Sequence, residues 1–131
     1  MQPLSILAVD DFAEIVQMLP KQLKSEGHHV TGVTKGREAL ALLRTKPFDL
    51  IILDVLMPDI DGYEIIAEIH KSHLPIRILA ISGGGTHMKG RDCLTIAKSL
   101  GAHAALQKPF DLPQLLQAIN FAFPDQSAAA S

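Results

Sequence analysis

The chain has 131 residues, 47% of them hydrophobic and 20% charged, with a formal net charge of -2. This is enough for one ordinary domain with a substantial core, and too apolar for a largely disordered chain. The charge balance offers no basic face to nucleic acid or an anionic membrane, and no apolar stretch approaches the roughly 18 residues that a membrane span needs.

The N-terminal Met1-Gln2-Pro3-Leu4-Ser5 puts no charged leader before its apolar run, and that run is only strand-length, so no signal peptide is expected. Strand-like residues 5–9 carry Ile6-Leu7-Ala8-Val9 and end in Asp10-Asp11. A helical pattern over 12–26 contains Pro20, which is expected to kink or split it at a cost of about 3 kcal/mol, and Gly27 follows as a C-cap glycine. A second strand at 29–33 and a helix at 36–45 come next. The third strand, 49–53, is apolar at the consecutive positions Leu50-Ile51-Ile52-Leu53, as a central strand buried on both faces should be. It ends in Asp54, followed by Val55-Leu56-Met57-Pro58-Asp59.

A helix is expected over 62–72 and a fourth strand over 76–81, ending in Ser82. Gly83-Gly84-Gly85 and Thr86-His87-Met88-Lys89-Gly90 then form a long, flexible stretch. A helix over 91–100, closed by Gly101, carries the single cysteine, Cys93, read as a small buried hydrophobe. One cysteine makes no internal disulfide and suits a reducing compartment, so the expected location is cytoplasmic. The fifth strand, 102–106, leads to Lys108-Pro109. In the last helix, 111–123, Leu112, Leu115, Leu116 and Ile119 follow the i, i+3, i+4, i+7 rule, Asp111 is the N-cap and Pro113 lies in the first turn. The small, polar residues 124–131 read as a disordered tail, leaving one domain over 1–123. Strict alternation of strand and helix predicts an α/β domain, a parallel sheet covered by helices on both faces.

The chemistry gathers where the strands end, because open α/β sheets place ligands at their carboxyl edge. Asp10, Asp11 and Asp54 would meet there if their strands are neighbours, and clustered carboxylates stay ionised together only beside a cation. Mg²⁺ suits them: it prefers hard oxygen ligands and keeps waters while binding phosphate oxygens. A carboxylate can attack phosphorus to give an acyl phosphate, with charge balanced by the metal, Lys108 and the Ser82 hydroxyl. Taken singly, an Asp after a strand is usually a cap or turn residue, Ser82 a turn serine and Lys108 a solvated charge. The six histidines, His28, His29, His70, His73, His87 and His103, lack metal-ligand spacing and read as surface residues.

Asp10-Asp11, Asp54 with Met57-Pro58 and Asp61-Gly62 after it, Ser82, and Lys108-Pro109-Phe110 resemble the signature of response-regulator receiver domains, from about Ser5 to Phe123. The resemblance implies a flavodoxin-like, doubly wound fold with five parallel strands in order 2-1-3-4-5 and five helices. It implies that Asp54 is the phosphoacceptor, that Asp11 ligates Mg²⁺ directly with Asp10 helping through water, and that the Leu56 backbone carbonyl is a further ligand. Ser82 would be the switch hydroxyl, and Lys108 would pair with the phosphoryl group beside a cis Pro109. The implied donor is a histidine kinase or histidine phosphotransfer protein. The implied behaviour is that of a stand-alone receiver, monomeric or weakly dimeric, that is not a turnover enzyme. It would act by contact with a downstream protein or as a phosphorelay intermediate, with helix four, strand five and helix five as its output surface.

This sequence departs from the family pattern at Ala105, where receivers usually carry an aromatic that swings inward on phosphorylation. The Gly83–Gly90 loop is then expected to pass the signal instead. Leu56 and Gly84 stand where the family's side chains flank the hydrolytic water. The alternative reading is a degenerate receiver that binds protein without phosphate. Haloacid-dehalogenase-like phosphatases need an acid where Leu56 stands, and a nucleotide- or flavin-binding module needs a phosphate cradle where Asp10-Asp11 stands.

Overall fold

Successive residues along the inner strands send their side chains to opposite faces, and both faces are apolar. In β3 (Leu50–Asp54) all five residues are buried. Leu7, Val9, Ile51, Leu53, Ile78 and Ala80 belong to one core, and Ile6, Ala8, Leu50, Ile52, Leu79 and Ile81 to the other. The computed structural model describes residues 2–83 and 90–124, without the side chains of Arg91 and Cys93. The expectations for the loop at 84–89, for the tail beyond 124 and for the Cys93 side chain lie outside the described residues.

The strands β1 (Ser5–Val9), β2 (His29–Val33), β3, β4 (Arg77–Ser82) and β5 (Ala104–Gln107) form one parallel sheet in order β2-β1-β3-β4-β5, as the resemblance implied. Helices α2 (Gly36–Thr45), α3 (Gly62–Lys71) and α4 (Gly90–Ser99) cover the first core through Ala39, Leu43, Ile65, Ile66, Ile69, Leu94 and Ala97. Helices α1 (Ala13–Lys24) and α5 (Leu112–Ala122) cover the second through Leu19, Leu23, Leu115, Ala118, Ile119 and Ala122. Each fully buried Leu or Ile is worth about 1.5–3 kcal/mol of transfer free energy, which holds the layers together.

Local signals agree with the ends of the helices. Asp111 and Gln114 form a reciprocal capping box on α5, and Asp61 caps α3 by accepting from the Glu64 N–H at 3.0 Å. Gly27 and Gly101 take positive φ just past α1 and α4.

Three expectations need correction. Helix α1 runs unbroken through Pro20. Leu19 and Leu23, fully buried on either side, hold it against the sheet, so packing outweighs the lost backbone hydrogen bond. Among the histidines, His28 is buried, and its Nδ1 accepts from the Leu4 N–H at 3.0 Å. His103 is half-buried; its Nδ1 accepts from the Ile78 N–H at 3.0 Å while its backbone N–H donates to the Ile78 carbonyl. Burial pushes both imidazoles below the ordinary histidine pKa, helped in His103 by the charges of Arg77 and His70. The fifth strand begins at 104, not 102, because the Ala102 N–H closes α4 on the Ala97 carbonyl.

Candidate functional site

The register fixes the site. Val9 pairs with Leu53 and Asp54 with Ile81, so β1, β3 and β4 end side by side, and Asp10, Asp54 and Ser82 line up along the carboxyl edge. Ser82 pairs with Gln107, and the Lys108 N–H donates to the Ser82 carbonyl at 3.0 Å, which brings the base of the lysine to the same edge. The Lys108–Pro109 peptide bond is cis.

Asp10 is 1% exposed and Asp54 3%. The Asp10 Oδ1 accepts from the Phe12 N–H at 2.9 Å, and the Asp54 Oδ1 accepts from the Leu56 N–H at 3.0 Å. Their other oxygens share one cation: Lys108 Nζ lies 2.7 Å from Asp10 Oδ2 and 3.2 Å from Asp54 Oδ2. Asp11 is exposed beside them, and one carboxylate oxygen from each of Asp10, Asp11 and Asp54 falls within a 4.8 Å cluster. Among the described residues this is the only grouping of His, Cys, Asp or Glu close enough to hold a metal. Ser82 is fully buried at its end of β4.

Burial pushes the Asp54 carboxyl up to about 6, with the Asp10 charge acting the same way; the Leu56 N–H and Lys108 oppose the rise. Burial works to lower the Lys108 ammonium, but the Asp10 hydrogen bond and the Asp54 and Asp10 charges outweigh it and hold the pKa above the ordinary lysine value. One lysine between buried carboxylates is an electrostatically unfinished arrangement. Hard oxygens at this spacing, with more negative charge than Lys108 neutralises, form a donor set that fits a divalent cation such as Mg²⁺. When bound, such a cation supplies charge neutralisation at phosphate oxygens.

Two residues of the site carry more than the sequence reading gave them. Gly62 was legible only as part of a motif. Its N–H donates to the Val55 carbonyl, and a β-carbon there would stand 2.5 Å from Val55 Cα and 2.7 Å from the Asp54 carbonyl oxygen. Only glycine lets α3 start this close to the backbone of the central acid. Phe12 was missed altogether: its ring lies over Lys108, with Nζ 5.1 Å from the ring centroid. No residue spacing signals that contact.

Comparison with known proteins agrees with this geometry. Residues 6–120 match the family model described as the response regulator receiver domain. The response regulator SaeR of Staphylococcus aureus is 34% identical over 116 residues, which are 88% of this chain and 48% of SaeR. The chain thus spans about half the length of the curated relatives it matches. Among solved structures, the chemotaxis response regulator CheY4 of Vibrio cholerae is 31% identical with a TM-score of 0.81, over 92% of this chain and 99% of that one. A CheY-like receiver domain protein of Methanospirillum hungatei is 25% identical with a TM-score of 0.83, over 98% and 99%. With the sheet order, the edge of acids and this match over most of its length, the chain belongs to the response-regulator receiver domain family, the phosphoryl-accepting modules of two-component signalling.

Proposed function

We propose that Asp54 is the phosphoacceptor, that Ser82 and Lys108 serve the transferred group, and that Asp10, Asp11, Asp54 and the Leu56 carbonyl hold Mg²⁺. The observation that carries this reading is Lys108 Nζ lying between Asp10 and Asp54 inside the only three-acid cluster among the described residues. An Asp54 oxygen forms a bond to phosphorus as the phosphorus–nitrogen bond to the donor's imidazole breaks, and the imidazole leaves with the electron pair. The Leu56 N–H orients the carboxylate for that attack, and Lys108 is within reach to follow the charge onto the phosphoryl oxygens. The donor in this reading is a histidine kinase or histidine phosphotransfer protein.

The phosphorylated form then shifts a conformational equilibrium read by another protein, or passes its phosphoryl group along a relay. The reading extends to a receiver unit of residues 1–123, working in the cytoplasm through contacts made by α4, β5 and α5. Incubation of the purified protein with Mg²⁺ and a small phosphodonor, read by intact mass beside Asp54→Asn, tests the reading. Gain of one phosphoryl group by the wild type alone is expected. No gain in a folded protein would leave a phosphate-independent binding module, the alternative that Ala105 favours.

A further inference from the structure

Phe12 opens α1 without a side-chain cap, as Lys35 opens α2. It holds the N-cap position of α1, where Ser, Thr, Asp or Asn would satisfy an open backbone N–H, and it makes no side-chain cap. The residue is 56% exposed, so burial does not explain it either. What sets Phe12 apart from Lys35 is the contact of its ring with the Lys108 ammonium.

The backbone of Phe12 is pinned on both sides. Its N–H donates to Asp10 Oδ1 at 2.9 Å, and its carbonyl accepts from the Ile15 and Val16 N–H groups at 3.1 and 3.3 Å. The ring therefore springs from a fixed point beside the acids. It lies over the ammonium of Lys108, whose side chain is only 14% exposed and which Asp10 and Asp54 also contact. A lysine has a long, flexible stem, and fixing it costs conformational entropy. An aromatic face 5.1 Å from Nζ attracts the cation and limits its outward swing.

We infer that Phe12 is a positioning residue for phosphoryl transfer: its ring holds the Lys108 ammonium over Asp54, ready for the incoming phosphoryl oxygens. This rests on the reading of Asp54 as phosphoacceptor. The inference makes the aromatic ring the part that acts, so tyrosine can replace it and leucine cannot.

The test joins two measurements on the full chain. NMR of the protein without donor reads the ε-methylene protons of Lys108, which the ring current of Phe12 moves upfield. That shift is expected in the wild type and in Phe12→Tyr, and lost in Phe12→Leu. Phosphorylation by acetyl phosphate, a donor too small to dock on the ring as a protein would, reads the transfer. The rate constant is expected to fall roughly two- to fivefold in Phe12→Leu, the factor of a cation–π contact at a partly exposed site, and to be retained in Phe12→Tyr. Phe12→Met serves as a second apolar variant should leucine disturb the fold. An unshifted Lys108 in the wild type, or a wild-type rate in Phe12→Leu with the shift gone, overturns the inference while leaving the phosphoacceptor reading intact. A wild type that gains no phosphoryl group overturns both.

Discussion

Gly62 sits so close to Asp54 that a β-carbon on it would stand 2.7 Å from the Asp54 carbonyl oxygen. The obstacle is backbone, not the end of a flexible side chain, so either the start of α3 or the end of β3 must move to admit it. Gly62→Ala is expected to cost about 1–3 kcal/mol, the range for overpacking a filled site. Because the displaced strand end carries Asp54, it should also slow phosphorylation. Urea unfolding and intact mass check the two effects, and an alanine variant as stable and as reactive as the wild type would contradict the packing argument.

The Ala105 departure has a structural counterpart. A hollow of about 360 Å³ opens beside it, lined among others by Lys98, Ala104, Leu106, Ala118 and Phe121. An aromatic ring placed there has room beside Leu106, Ala118 and Phe121, with Gln114 and Gln117 also on the lining. Ala105→Phe should therefore leave the thermal midpoint unchanged or raised, where an insertion into a filled core would lose about 1–3 kcal/mol. A clear fall in the midpoint would mean that the hollow does not accept the ring.

Asp10, Asp54, Ser82 and Lys108 were legible because each ends an apolar run, and a parallel sheet brings the ends of its runs to one edge. The order of those runs carried the family resemblance, and with it the strand order. What stayed hidden depends on contacts that local pattern does not encode. Pro20 was expected to kink or split α1, but the helix is not split, because the force holding it comes from Leu19 and Leu23 against the sheet. Phe12 reads as one apolar residue at a helix start until β5 delivers Lys108 beneath its ring. Gly62 differs from other turn glycines only through the closeness of the Asp54 backbone. His28 and His103 have no ligand spacing because their ring nitrogens serve backbone N–H groups at sheet margins.

His28 gives the stability an acid dependence of known sign. Burial holds its pKa below the ordinary value of 6.5, so on acidification the unfolded chain takes up this proton before the folded one does. Its contribution is complete above about 6.5 and is lost as the pH falls through the depressed folded value. His28→Asn keeps an acceptor for the Leu4 N–H but does not titrate in this range. From pH 7.5 to pH 5 the urea midpoint of the variant should fall less, or rise more, than that of the wild type; an identical change in both would show that His28 does not report on folding.

Asp54 contributes with the opposite sign, and its removal should stabilise the metal-free protein. Its carboxyl is pushed up to about 6 in the fold, chiefly by burial, from an ordinary value of 3.8. The folded state therefore holds this proton more tightly than the unfolded chain does. The associated stability is complete below about 4 and is lost as the pH rises through about 6. At pH 7.5 the ionised carboxylate is a liability on the order of 2–3 kcal/mol, which Lys108 has already reduced. Asp54→Asn removes that charge and leaves a neutral group able to accept from the Leu56 N–H. The metal-free variant should melt above the metal-free wild type at pH 7.5, with the gap closing towards pH 4. Added Mg²⁺ should then raise the wild type far more than the variant, since a ligand that binds only the folded state stabilises it more the tighter it binds. A variant that melts below the wild type at pH 7.5, or that gains as much from Mg²⁺, would mean that the burial of Asp54 carries no electrostatic strain for a metal to relieve.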